Sequence, residues 1–357
     1  MFNKRLSQAR KASGLSLRKL GDEVGVSHAA IKKYEDGEAK PSSTILLKLA
    51  KVLGVRTEYF FRPDIIPDLT SINYRKHSAL PKKQLNSISQ KIIELIERRI
   101  ELENLFPQAA KESLLPINKL PKVISNDSDI EKAAEVVRET WKLGIDPILD
   151  LIDIFEMQGI RVFSVDIAEN VKFDGLCAEV LDKPVIVISN NWPGDRQRFT
   201  LAHELGHLLL SEMIVPDFKD EEKVCNHFAG AFLFPRESVL NKLGKSRTSI
   251  EIKELSLIKE EFGISMGGIL FRALQLDIIS HHYWLEIRKL FSKNGWHKAE
   301  PGEVYPSEIA RVFEQFVFHA LAEDCIGESK AAELLSLSLT DFRRLRAMEG
   351  KDARTHQ

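Results

Sequence analysis

Cysteine is scarce in this chain, long apolar runs are missing, and net charge is almost nil. Cys177, Cys225 and Cys325 are too few and too scattered for a disulfide framework, so a reducing compartment is expected. No stretch approaches the roughly 20 apolar residues of a membrane span. The start, Met1-Phe2-Asn3-Lys4-Arg5, lacks the apolar run of a secretion signal, and the expected location is cytoplasmic. A net charge of −1 excludes a global pull toward nucleic acid or membrane. There is no low-complexity tract and no long repeat, which argues against a solenoid or a disordered scaffold. What is present is ordinary for a folded soluble protein: 357 residues, 43% hydrophobic and 29% charged, with room for more than one domain.

The most informative stretch is His203-Glu204-Leu205-Gly206-His207. Around it Phe199, Ala202, Leu205 and Leu209 recur at helical spacing. Residues four apart share a helix face, so both imidazoles can reach one metal ion, and Glu204 can aim its carboxylate at a metal-bound water. Zinc suits nitrogen and oxygen donors of this kind better than manganese or iron. A catalytic site needs a third ligand. Glu222 is the first choice, with Glu221 the rival, since spacing cannot separate neighbours at a helix start. His227 is a weaker candidate that could instead stabilise an oxyanion. Cys225, one turn after Glu222, reads as a small buried hydrophobe, the alternative being a thiol beside the metal.

Residues 1–60 carry twelve Lys and Arg against six Asp and Glu, one basic segment in a neutral whole. Five short helices with glycine turns are expected there. Ser16 and Ser27 are placed to cap helices, and Gly25 and Gly37 to end them, in a helix-turn-helix layout. The second helix would lead into the major groove with Ser27, His28, Ala29, Lys32 and Lys33. Arg18 and Lys19, with Arg5, Arg10, Lys11 and Lys40, would neutralise phosphates of double-stranded DNA. A solvated protein-interaction module is the alternative.

The fold class expected is mainly α with a small β-sheet: an N-terminal five-helix bundle, a central α+β domain and a helical C-terminal domain. The boundaries read 1–62, a connector at 63–128 containing a long helix at 82–105, then 129–242 and 243–357. Prolines and Asn126-Asp127-Ser128 mark 106–128 as a second linker. Helices are expected near 130–143 and 147–158, and strands at 160–167, 173–181 and 184–189. The stripe Ile88, Ile92, Leu95, Ile96 and Ile100 would pack on its own chain or form a homodimer. Residues 255–276 and 329–345 echo the helix-turn-helix layout and read more simply as packed helix pairs.

Two resemblances rest on these residues. Leu15-Ser-Leu-Arg-Lys-Leu-Gly-Asp-Glu-Val-Gly-Val-Ser27 and Tyr34-Glu-Asp-Gly-Glu-Ala-Lys-Pro41 resemble the Xre/Cro/C1-type helix-turn-helix family. Phe199-Thr-Leu-Ala-His-Glu-Leu-Gly-His-Leu-Leu-Leu210 and Cys225-Asn-His-Phe-Ala-Gly-Ala-Phe-Leu-Phe-Pro235 resemble the ImmA/IrrE family of zinc metallopeptidases. The resemblance implies a gluzincin-like site on His203, His207 and a downstream Glu. It also implies a repressor or antitoxin as the cleaved partner, in a stress, prophage or mobile-element response. Many members write Glu-Ala-Asn where this chain has Val224-Cys225-Asn226, so Glu222 must serve if the third ligand is a carboxylate. The alternative function is a non-enzymatic regulator or antitoxin whose central domain only binds metal or a partner. Cutting of the chain itself at 106–128 is a third idea. The strand ending at Ser189 is the expected partner for an extended substrate segment.

Overall fold

The computed structural model describes residues 2–61, 82–167 and 173–348. Residues 63–81 of the connector expected at 63–128 lie outside them, as do residues 349–357 of the expected C-terminal domain. The N-terminal unit is α1 (Phe2–Ala12), α2 (Leu17–Val24), α3 (His28–Asp36) and α4 (Ser43–Leu53), closed by a 3-10 turn, Thr57–Phe61, in place of a fifth α-helix. Ser16, Ser27 and Ser42 cap their helices through the side-chain oxygen, each accepting from a backbone N–H three residues on. Gly25 and Gly37 end α2 and α3 at φ 83° and 79°, where a side chain would be strained. Leu6, Leu20, Ile31, Leu49 and Phe60 form the separate core of this unit.

α5 (Lys82–Leu105) is the organising element. Its isoleucine stripe does not face a second copy. Ile88, Ile92, Ile96 and Ile100 are buried against one face of a sheet in the same chain. The sheet consists of β1 (Arg161–Val165), β2 (Gly175–Val180) and β3 (Lys183–Ser189) in the order β1-β3-β2. β3 pairs parallel with β1 and antiparallel with β2. Because side chains alternate across a strand, Val185 and Val187 meet α5 while Ile186 and Ile188 join the core on the opposite face. Leu181 and Asp182 take positive φ (51° and 58°) and make the hairpin turn, which ends β2 one residue earlier than expected.

Beneath that opposite face lie α6 (Asp127–Thr140), α7 (Leu151–Met157), α8 (Gly194–Leu210) and α9 (Glu221–Leu233). α6 starts within the expected linker: Asn126 and Asp129 form a capping box. The rest of 106–128 is not an open linker either. Phe106, Ala109, Leu120 and Ile124 are buried, and Ile124 bridges to Ile214. Self-cleavage there would require local unfolding.

α10 (Arg236–Leu243), α11 (Ile252–Phe262), α12 (Met266–Gln275) and α13 (His281–Lys293) follow. Their buried residues run into those of α6, α8 and α9 without a break, so one core crosses the boundary expected at 242–243. α14 (Val312–Ala322), α15 (Glu328–Leu334) and α16 (Leu339–Arg346) pack with Leu102 and Phe106 at the end of α5. Among the described residues no helix is long and apolar enough to cross a membrane.

Candidate metal centre

α8 and α9 pack against each other, and Gly206 lets them approach: a Cβ there would stand 3.2 Å from the Cα of Cys225. Their facing sides bring His203, His207 and Glu222 together, with donor atoms all within 4.8 Å of one another. The Nε2 atoms of the two histidines are 3.0 Å apart. Glu222 places Oε2 3.4 Å from His203 Nε2 and Oε1 3.4 Å from His207 Nε2. Ligands bound to zinc at about 2.0–2.1 Å in a tetrahedron stand roughly 3.3 Å apart, so the spacing suits such an ion.

The outer nitrogens are also engaged. His207 Nδ1 lies 2.8 Å from Glu221 Oε1, and His203 Nδ1 lies 3.0 Å from Asn226 Oδ1. A carboxylate only accepts, so Glu221 keeps the neutral His207 protonated at Nδ1. Its Nε2 then carries a lone pair aimed at His203 and Glu222. Electron-rich atoms converging in this way fit a cation between them. Ser211 donates its hydroxyl to Glu221 and so braces that carboxylate. The two rival glutamates thus sit on opposite sides of one imidazole. Glu221 also forms a second such group with His207 and Cys225, and Cys225 is fully buried.

Glu204 is buried beside β2. Burial pushes its carboxyl up to about 8, opposed by hydrogen bonds from the Cys177 thiol and backbone and reinforced by the negative charges of Glu222 and Asp174. Gly175 of β2 comes so close to α8 that a Cβ would meet Thr200 Cγ2 at 2.6 Å.

His227 is a correction. It lies five residues after Glu222, about 140° around the helix, and turns away from the histidine pair. Its Nε2 bonds Glu131 Oε1 of α6 at 2.7 Å, and Arg272 holds the same carboxylate. Val224, where a family glutamate was expected, faces the core and is fully buried. Asn226 and Ser211 had no assigned role in the sequence. Asn226 stands four residues after Glu222, on the same face, and that spacing was the available signal.

On the N-terminal unit, Arg18, Lys19, Ser27, His28, Ala29, Lys32 and Lys33 are all exposed. The Ser27 hydroxyl is engaged in capping, and Lys32 pairs with Asp36 at 2.6 Å. Arg5 and Arg10 are corrections. Arg5 is buried against Glu97 of α5, and Arg10 forks onto Glu35 at 2.6 and 2.9 Å. Both guanidiniums serve packing, not phosphates.

Comparison with known proteins finds two family models that match parts of the chain. Residues 6–60 match the family model described as helix-turn-helix, and residues 155–274 match that described as IrrE N-terminal-like domain, of the M78 peptidases. Three curated relatives are similar to a part of this chain. The SPbeta prophage-derived uncharacterized HTH-type transcriptional regulator YonR of Bacillus subtilis is 36% identical over 17% of this chain and 57% of its own length. The HTH-type transcriptional regulator PuuR of Escherichia coli is 38% identical over 18% of this chain and 35% of its own. The cryptic phage CTXphi transcriptional repressor RstR of Vibrio cholerae is 38% identical over 15% and 48%. The chain therefore spans between about a third and somewhat over half of the length of these relatives.

Proposed function

The chain carries a helix-turn-helix domain and an IrrE N-terminal-like domain of the M78 peptidases, and we propose that it is a cytoplasmic DNA-binding regulator whose second domain is a zinc-dependent endopeptidase. The observation that carries this reading is the convergence of His203, His207 and Glu222 beside Glu204. Those three residues would hold the ion, with Glu221 and Asn226 fixing the imidazole tautomers from behind. Bound zinc would supply a Lewis acid and a water acidified toward a pKa of about 7. Glu204 acts as the proton carrier, taking a proton from the attacking water and delivering it to the leaving amide nitrogen.

The substrate segment is held differently from the sequence-based expectation. β3 is flanked on both sides, so its backbone cannot accept another strand. β2 is an edge strand, and its Cys177 reaches Glu204. An extended peptide added to β2 would lie beside the ion-binding residues. DNA engages the exposed face of α3 through His28, Ala29 and Lys33, with Arg18, Lys19 and Lys32 against phosphates. The phage origin written into two relatives' names favours a repressor or antitoxin of a mobile element as the cleaved partner.

The test uses the full chain, zinc and any repressor or antitoxin encoded by a neighbouring gene. Cleavage is expected, and Glu204→Gln should abolish it while zinc stays bound. Undiminished cleavage by Glu204→Gln would remove the assigned role. Stoichiometric zinc without cleavage of any neighbouring gene product would favour a regulator that only binds metal or a partner.

A further inference from the structure

A cavity of about 720 Å³ opens beside the metal centre, between the start of α8, α12, α13 and the loop after α13. That volume falls within the range of small-molecule sites. Its wall includes Asn226, which holds Nδ1 of His203, and Phe199, one turn before His203 on α8. Six aromatic rings line it: Trp192, Phe199, Phe271, Trp284, Phe291 and Trp296. A wall this rich in rings suits a flat apolar body.

The charges in the wall select the ligand further. Arg196 pairs with Asp174 at 2.7 Å and stacks on Trp192, with its guanidinium carbon 3.6 Å from the ring centre. Lys259 is held by Asp195 and Glu300 at 3.0 and 2.9 Å, and Arg272 by Glu131 at 2.6 Å. The Glu300 carboxylate also accepts from the backbone N–H groups of Met266 and Gly267, so the N-terminus of α12 is already neutralised from within. Among the described residues, Arg288, Lys298 and Glu303 of the wall stand in no ion pair. Among these three unpaired groups two cations stand against one carboxylate, and the carboxylate in excess at Lys259 is already occupied by the α12 N–H groups, so Arg288 and Lys298 are the charges of the wall open to an anion. We propose that the cavity binds an aromatic group bearing a single negative charge, presented either by a free aromatic acid or by an acidic aromatic peptide. The site rests on neither the metal nor the peptidase reading.

Trp192, Trp284 and Trp296, three of the chain's four tryptophans, stand in the wall, so their emission reports occupancy. The probe is biphenyl-4-acetate, titrated into the full chain and compared with its neutral amide. Saturable change is expected with the acid, and binding about tenfold weaker with the amide. Arg288→Gln, at an exposed position, should erase most of that preference. Gly267→Leu should abolish binding without lowering Tm, because a Cβ at Gly267 meets nothing nearer than Glu300 Oε1 at 3.8 Å and a longer side chain enters the cavity. A second arm titrates the capped peptide acetyl-Gly-Asp-Phe-Gly-amide. Tighter binding of the peptide assigns the site to a protein side chain, and binding of the acid alone assigns it to a free ligand. No saturable change with either probe, or equal affinity for acid and amide in wild type, would overturn the proposal.

Discussion

Glu221 Oε1 lies 2.8 Å from Nδ1 of His207, while the next residue along, Glu222, faces Nε2 of the same ring at 3.4 Å. Adjacent helix positions differ by about 100°, enough to divide one ring between two carboxylates. The two glutamates should therefore fail differently. Glu222→Gln should leave the purified protein without stoichiometric zinc. Glu221→Gln should keep the stoichiometry but weaken affinity about 10–100-fold, as loss of a supporting partner does. Metal analysis with chelator competition separates the two, and identical behaviour would contradict the division.

Acid stability should report on Glu131. Burial alone would raise its carboxyl, but hydrogen bonds from His227 and Arg272 and the Arg272 charge outweigh that and hold it at about 2. A depressed carboxylate stabilises the fold above its unfolded pKa near 4.5 and loses that contribution as pH falls through about 2. Its size is on the order of 3 kcal/mol. Glu131→Gln should thus be less stable than wild type at pH 7, and the gap should close between about pH 4.5 and 2 in urea titrations. A gap unchanged across that range would rule the account out.

The buried pair Arg5–Glu97 fastens α1 to α5, with side chains 2% and 5% exposed. Removing one partner strands a charge in the interior, at a cost of about 3–5 kcal/mol. Glu97→Ala should lower Tm markedly, and Arg5→Met with Glu97→Leu should recover most of the loss. A double variant no better than the single would show that the charges themselves are required.

DNA affinity should separate the basic residues into two groups. Arg18→Ala and Lys19→Ala should each reduce the salt dependence of binding by about one counterion and leave Tm unchanged. Arg10→Ala should lower Tm, because its fork to Glu35 is lost, while the salt slope stays the same. Binding titrations at several salt concentrations distinguish the groups.

Local signals were legible where chemistry acts over one helical turn. The serine caps, the glycine stops, the histidine pair and the β-branched run of β3 all read directly from residue order. Long-range choices did not. The strand order β1-β3-β2 depends on pairing across the chain, so the open edge was expected at β3 and lies at β2. Arg5 looked free to meet phosphate because its partner lies 92 residues away. The prolines and polar residues of 106–128 suggested a linker, since nothing local foretells that Ile124 will bridge to Ile214.

α5 roofs the sheet that carries the peptidase-like site, yet it precedes the matched 155–274 segment by some distance in the chain. A fragment trimmed to the matched segment would lay bare Phe163, Val165, Leu176, Val185 and Val187 as one sticky apolar plate. The smallest autonomous form of the IrrE-like unit accordingly includes the face of α5 from Ile88 to Ile100, and its fate is tied to the same helix on which the helix-turn-helix unit is moored.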